Sequence, residues 1–284
     1  MDGSPIDRFE KYHGYIAAKR RRIKTEVEVG KIIAVTNQKG GVGKTTSSVN
    51  IAASLAATKR KVLLVDLDPQ GNASSGCGIV KDELEHHILD VLLGDKKARE
   101  CLLKVESSNF HILPTNSDLA SAEAHLLSED NKEGRLKDAL ACLVDDFDYI
   151  FIDCPPSLSI LTVNALVAAD SVMIPMQCEY YALEGLQALL STIEQITEHV
   201  NHNLHIEGLL RTMYDPRNRL AVEVSNQLHE HFGAKVYRTA IPRNIRLAEA
   251  PSHGQPALVY DRLSRGAKAY LALAGEMIRR EEIA

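Results

Sequence analysis

The chain of 284 residues reads as an α/β protein: one domain on a mostly parallel, twisted sheet with helices on both faces. Three observations lead there. Short runs rich in Val, Ile and Leu alternate with helix-spaced stretches, which implies right-handed β–α–β crossovers and a sheet covered on both sides. A glycine-rich turn falls between the first such run and the first such helix. The composition, 45% apolar and 25% charged, is that of a globular protein. No run approaches the ~18 apolar residues of a membrane-spanning helix.

The elements follow in order. KIIAVTN (Lys31–Asn37) is apolar on both faces, as a buried parallel strand must be. Thr45–Thr58 carries Ala, Ser and Leu at helical spacing. KVLLVDLD (Lys61–Asp68) is a second strand ending in acids, and FHILP (Phe110–Pro114) a third. DYIFIDCPP (Asp148–Pro156) is a fourth, stopped by paired prolines. SVMIPM (Ser171–Met176), HIEGLLRTM (His205–Met213) and KVYRTAIP (Lys235–Pro242) are expected as the fifth to seventh. Helices are expected at Leu158–Ala168, Glu184–His199, Leu220–Phe232 and Ser264–Ile283. The last places Ala267, Tyr270, Leu271, Ala274, Met277 and Ile278 on one side. Its mixed-sign end, Arg279-Arg280-Glu281-Glu282, and its alanine-rich apolar side argue against a membrane anchor.

Residues 1–29 differ from the rest. They hold Lys11, Lys19, Arg20, Arg21, Arg22 and Lys24, and read as a basic N-terminal extension, with a helix around Phe9–Arg22, ahead of a domain over 30–284. No apolar segment there reads as a secretory signal. The five cysteines include no C-x-x-C pair, which favours neither a zinc site nor a disulfide framework and suits a reducing cytoplasm. A net charge of −5 argues against wholesale coating of nucleic acid but allows a small basic patch.

The strongest chemical signal is Lys39-Gly40-Gly41-Val42-Gly43-Lys44-Thr45-Thr46. Between a strand and a helix, its glycines let backbone N–H groups turn toward an anion, and the helix aims its positive end at the same point. Lys44 suits the terminal phosphates and the Thr45 hydroxyl suits Mg²⁺. This predicts a P-loop NTPase domain. Asp66 and Asp68 end the second strand, where open α/β sheets keep their chemistry. Two acids after a strand also fit a solvated turn. Cys154 reads as a buried strand-end residue.

The loop departs from G-x-x-x-x-G-K-[ST] in having Gln38 at the first glycine position and a lysine, Lys39, directly after it. In this it resembles the deviant Walker A loop of the ParA/MinD ATPase family. The resemblance implies ATP and Mg²⁺ as cofactors, held by the loop from Lys39 to Thr46. It implies that Lys39 reaches the nucleotide of a second subunit in an ATP-sandwich homodimer. VLLVDLDPQGNASSG (Val62–Gly76) and YIFIDCPPSL (Tyr149–Leu158) look like the family's next motifs. By that likeness Asp68 orients the attacking water, Asp66 is an acid near the metal, and Asp153 holds Mg²⁺, making Lys39, Lys44 and Asp68 the catalytic set.

The similarity runs on through PMQCEYYALEGL (Pro175–Leu186) and IPRNIRLAEAPSHGQP (Ile241–Pro256). It covers nearly all of Lys31–Ala274 and looks specifically like the ParA/Soj chromosome-partitioning ATPases. That likeness places Pro242 and Asn244 at the adenine, with Met213 as an apolar lid. It also assigns Arg217 and Arg246 to non-specific duplex DNA, and implies a ParB-like centromere-binding partner and a bacterial, nucleoid-associated protein. Thirty residues ahead of the domain are too few for a sequence-specific reader. The competing expectation is a MinD-like, membrane-associated cell-division regulator. An iron–sulfur reductase or an ATP-using synthetase on a related loop fits these segments less well.

Overall fold

A computed structural model describes residues 30–283 except residue 130. The basic extension expected over 1–29 lies outside the described residues. Seven strands form one sheet in the order β3-β4-β2-β5-β1-β6-β7. They are β1 Lys31–Val35, β2 Val62–Asp66, β3 Leu103–Val105, β4 Phe110–Leu113, β5 Tyr149–Asp153, β6 Ser171–Gln177 and β7 His205–Thr212. Every pairing is parallel except β3 with β4. β1 lies between β5 and β6. The chain therefore leaves β1 on one side and returns to fill the other, and the crevice at such a switch point is where open α/β sheets bind ligands.

Alternation along β1 divides the core. Ile33 and Val35 face a layer built from α1 (Lys44–Ala57) and the C-terminal helix α11 (Arg265–Ile283). Ile32 and Ala34 face the opposite layer. That layer holds α3 (Ile88–Leu93), α4 (Leu119–Leu127), α5 (Arg135–Leu140), α6 (Ile160–Ala168), α7 (Ala182–His199) and α8 (Arg219–Phe232). Short helices α2 (Asn72–Gly76), α9 (Ile245–Glu249) and α10 (Ala257–Tyr260) border the C-terminal edge of the sheet. In α11, Ala267, Tyr270, Leu273, Ala274 and Met277 are buried. Its apolar side belongs to the core, with Leu273 taking the place expected for Leu271.

One expected strand is absent and one unexpected strand is present. Lys235–Pro242 is not a seventh strand: it forms no ladder with β7, only the isolated bridges of Leu209 with Val236 and, past the strand's end, Tyr214 with Pro242, with the Tyr237 and Ile241 amides donating to β7 carbonyls. Side chains take the backbone groups a ladder would use. Arg211 donates to the carbonyls of Tyr237 and Arg238 at 2.9 and 3.0 Å. Glu276 accepts from the amides of Arg238 and Thr239 at 2.8 and 2.9 Å. The segment also crosses β7 closely at Gly208, where a Cβ would meet the Tyr237 ring at 2.5 Å. The strand that sequence did not suggest is β3, a three-residue antiparallel edge with two exposed positions, too short to carry a periodic signal.

Candidate functional site

β1 ends at Val35, and the loop from Asn37 to Gly43 carries the chain into α1. Gly41 and Gly43 have φ of +74° and +86°, a region that a side chain would strain. Asn37 braces the loop from inside: its Nδ2 donates to the Pro175 carbonyl at 2.8 Å and its Oδ1 accepts the Lys39 amide at 3.0 Å. From the far side the Thr212 hydroxyl, at the end of β7, donates to the Val42 carbonyl at 2.7 Å. The Gln177 amide donates to the Gly41 carbonyl at 3.4 Å. The ends of β6 and β7 thus brace one loop.

Lys44 opens α1 and is 7% exposed. Its ammonium donates to the Lys39 carbonyl at 3.3 Å. Burial pushes its pKa down, against the opposing charges of Asp153 and Asp68. Strand register brings the acids together, since Asp153 of β5 is the partner of both Val35 and Asp66. Asp153 is fully buried. Its Oδ1 accepts the Ser48 hydroxyl at 2.8 Å, one turn beyond Lys44, while its Oδ2 is buried without a partner. Burial and the charge of Asp66 push the Asp153 carboxyl up, and the Thr45 and Ser48 hydroxyls oppose that.

Asp66 faces the same centre, but protein donors already engage both its oxygens. Oδ2 accepts the Ser74 amide and hydroxyl, each at 2.7 Å, and Oδ1 accepts the Asp68 amide at 3.3 Å. Burial pushes its carboxyl up, and the Ser74 bonds pull it down. Asp66 therefore sets the position of α2 and of Asp68. Asp68 is 7% exposed, and its Oδ1 accepts the Gln70 amide at 3.0 Å. A carboxylate oxygen that is buried, partnerless and set beside an ammonium and two hydroxyls is costly unless something cationic completes it. Hard oxygen donors of this kind fit Mg²⁺ and a phosphate chain, so the residues present suit that group.

Lys39 does not turn toward this centre. Its ammonium pairs with Glu179, beyond β6, at 2.6 Å, beside a cavity of about 280 Å³ lined by Gln38, Met176 and Tyr181. On the other side, Tyr214 and Pro242 are bridged, and the Tyr214 amide donates to the Ile241 carbonyl at 2.9 Å. This brings together two of the segments expected to hold a base. Met213 has φ +49° and its sulfur accepts from Gln177 at 2.8 Å. Asn244 has a buried, partnerless Oδ1. Arg217 and Arg246 lie near these segments in exposed positions, each in contact with carboxylates.

Sequence reading did not single out Asn37, Ser48, Ser74, Gln177, Glu179 or Thr212. Ser48 had a signal, lying one helical turn after Lys44. Glu179 stands inside a quoted segment but received no role. The others act only through tertiary contacts.

Comparison with known proteins agrees with this geometry. A family model described as an AAA domain matches residues 30–206. The sporulation initiation inhibitor protein Soj of Bacillus subtilis is 53% identical over 249 residues, covering 88% of this chain and 98% of that protein. The chromosome partitioning protein ParA of Myxococcus xanthus is 50% identical over 253 residues, covering 89% of each chain. Among solved structures, one described as cobyrinic acid a,c-diamide synthase from Mycobacterium smegmatis, with bound ATP analog and magnesium, superposes with a TM-score of 0.78. It is 39% identical and covers 89% of this chain and 96% of its own.

Proposed function

The chain belongs to the Soj/ParA family of chromosome-partitioning ATPases, and from that premise we propose a nucleotide-switched mode of action. ATP with Mg²⁺ joins two copies of the chain, the dimer binds duplex DNA without sequence preference, and a ParB-like centromere-binding protein triggers hydrolysis. The enzymatic activity is hydrolysis of ATP to ADP and phosphate.

The observation that carries this reading is the partnerless Asp153 oxygen, buried beside Lys44 and the Thr45 hydroxyl. Thr45 and Asp153 are the residues to hold Mg²⁺, with Asp66 behind them as an acid near the metal. Mg²⁺ when bound supplies charge neutralisation on the phosphates. The loop amides from Gly40 to Thr46 cradle the phosphates, and Lys44 offsets the charge that builds on the terminal one. Asp68, held by Asp66 and Gln70, orients the attacking water. Lys39 lies on the outer flank of its own loop, so serving a second subunit requires it to leave Glu179. Met213, Pro242 and Asn244 frame the base; an amide offers adenine both a donor and an acceptor.

Arg217 and Arg246 are the proposed DNA contacts. One subunit offers two such arginines and a dimer four, so affinity depends on dimerisation even though the chain is acidic overall. Binding of random-sequence duplex is measured with no nucleotide, with ADP and with ATP–Mg²⁺, at several salt concentrations. The expected result is binding with ATP only, with log K falling as log salt rises. Lys44→Ala removes nucleotide binding and the DNA binding with it. Equal binding in all three states, or none in any, overturns the switch. The MinD-like alternative needs an apolar helix face free for a membrane, and that of α11 is buried in the core. Co-sedimentation with anionic liposomes would restore that alternative.

A further inference from the structure

The two arginines assigned to DNA share a feature that nothing in the switch requires. Each has its guanidinium fork occupied by carboxylates of its own chain. Arg217 donates through Nε to Asp215 Oδ1 at 2.9 Å and through Nη2 to Oδ2 at 2.8 Å. This is the two-pronged geometry in which arginine grips a phosphodiester. Asp215 Oδ1 also accepts the Arg217 amide at 3.0 Å. With Pro216 between them, the Asp-Pro-Arg turn presents the acid to the fork without a long side chain having to be ordered. Arg246 is bracketed instead by two elements. Its Nη1 donates to Glu249 Oε2 at 2.8 Å, one turn along α9, and its Nε lies 3.2 Å from Asp261 Oδ2, just past α10. Tyr260 donates to the same Glu249 oxygen at 3.3 Å.

We propose that Asp215, and Glu249 with Asp261, act as built-in phosphate mimics that occupy the DNA-binding forks, so that duplex must displace a carboxylate at each arginine. This rests on the assignment of Arg217 and Arg246 to DNA. The physical consequence is a threshold. An arginine already paired with a carboxylate contributes little net positive charge toward a phosphate, and swapping one anion for another releases few counterions. These pairs are exposed, with Arg217 at 89% and Arg246 at 49% side-chain exposure. Exposed pairs are weak, so the mask yields to a duplex that engages four forks at once but resists one that engages two. The hydrogen bonds from Arg217 hold the Asp215 carboxyl down at about 2, which keeps this mask charged across the working pH range.

The test uses the full chain and a fluorescent random-sequence duplex, titrated in ADP and in ATP–Mg²⁺ over a range of salt. Asp215→Asn keeps an oxygen to accept the Arg217 amide, and removes the charge and the second acceptor that the fork grips. It is expected to tighten the ATP-dependent binding about fivefold and to steepen the salt slope by about 0.9 per arginine released. The Glu249→Gln, Asp261→Asn double variant is expected to act in the same way at Arg246. Glu223→Gln, an equal charge change at an exposed position of α8 near the same loop, is expected to do neither. In an Arg217→Ala background, Asp215→Asn should give no gain. If Glu223→Gln tightens binding as much, or the Asp215→Asn gain survives loss of Arg217, the effect is bulk charge and the mask is overturned. If Arg217→Ala loses DNA while Asp215→Asn changes nothing, the mask is overturned and the assignment of the arginine stands. If Arg217→Ala binds DNA like the unmodified chain, the assignment fails and the mask with it.

Discussion

Asp153 shows how one side chain at the site is both restrained and left open. Ser48 holds Oδ1 while Oδ2 has no partner, so the carboxylate is aimed before any ligand arrives. Ser48→Ala leaves Oδ1 without that buried donor. Loss of about 1–3 kcal/mol of stability is expected, together with weaker Mg²⁺ binding, read by chemical unfolding and by Mg²⁺ titration of the ATP complex. Asp68 has a different task, since it is placed by Asp66 and is not itself beside Lys39. Asp68→Ala should bind ATP and accumulate as the dimer while turnover falls by roughly 10²-fold or more. Hydrolysis by that variant at the unmodified rate would remove Asp68 from the water-orienting role. Lys44 is readable from motif spacing, Asp68 from its place at a strand end and Ser48 from its position one turn after Lys44, whereas Ser74 is visible only once α2 folds back onto Asp66.

At the scale of elements, the N-terminal edge of the sheet is tied by charge. Lys31, at the start of β1, pairs with Glu207 of β7 at 2.8 Å and with Glu281 of α11 at 3.1 Å. Burial pushes the Glu207 carboxyl up, but the charge and hydrogen bond of Lys31 outweigh it and hold the group below the usual glutamate range. A depressed acid contributes stability that is present above its unfolded value and lost as pH falls through its folded one. Glu207→Gln should therefore cost about 3 kcal/mol at pH 7, and the gap to the unmodified chain should close below about pH 4. Urea unfolding at pH 7, 4 and 3 measures both. A gap that stays constant with pH would mean that packing, not charge, sets the cost of losing Glu207. The opposite edge carries a second link, the Thr212–Val42 bond, which joins the phosphate loop to the strand leading into the Arg217 turn. No pattern along the chain announces that contact, because its partners lie in segments with no local relation.

For the whole molecule, the nucleotide site and the two arginines proposed for DNA both lie at the C-terminal edge of the sheet. Lys39→Ala should still bind ATP yet stay monomeric by size-exclusion with light scattering, because Lys39 is held by Glu179 on the outer flank of its own loop. Arg246→Ala should dimerise with ATP normally and lose at least tenfold in duplex affinity, in line with the steep dependence on phosphate contacts. Monomeric Arg246→Ala would place that arginine in the subunit contact instead.

Local signals were enough for the α/β class, the phosphate loop and the strand-end acids. Buried parallel strands are continuous apolar runs, and a phosphate cradle demands glycines and a lysine at fixed spacing, so both are written in adjacent residues. The same locality misled at Lys235–Pro242, where β-like residues give several of their backbone groups to the Arg211 and Glu276 side chains and pair with β7 too sparsely to form a ladder. Only the tertiary structure decided which carboxylate oxygen stays free, where Lys39 rests, and that Arg217 and Arg246 are each met by an acid. Those outcomes depend on which strand ends and helix turns come within hydrogen-bond distance. That is settled by register and packing across the whole sheet, not by any window of sequence.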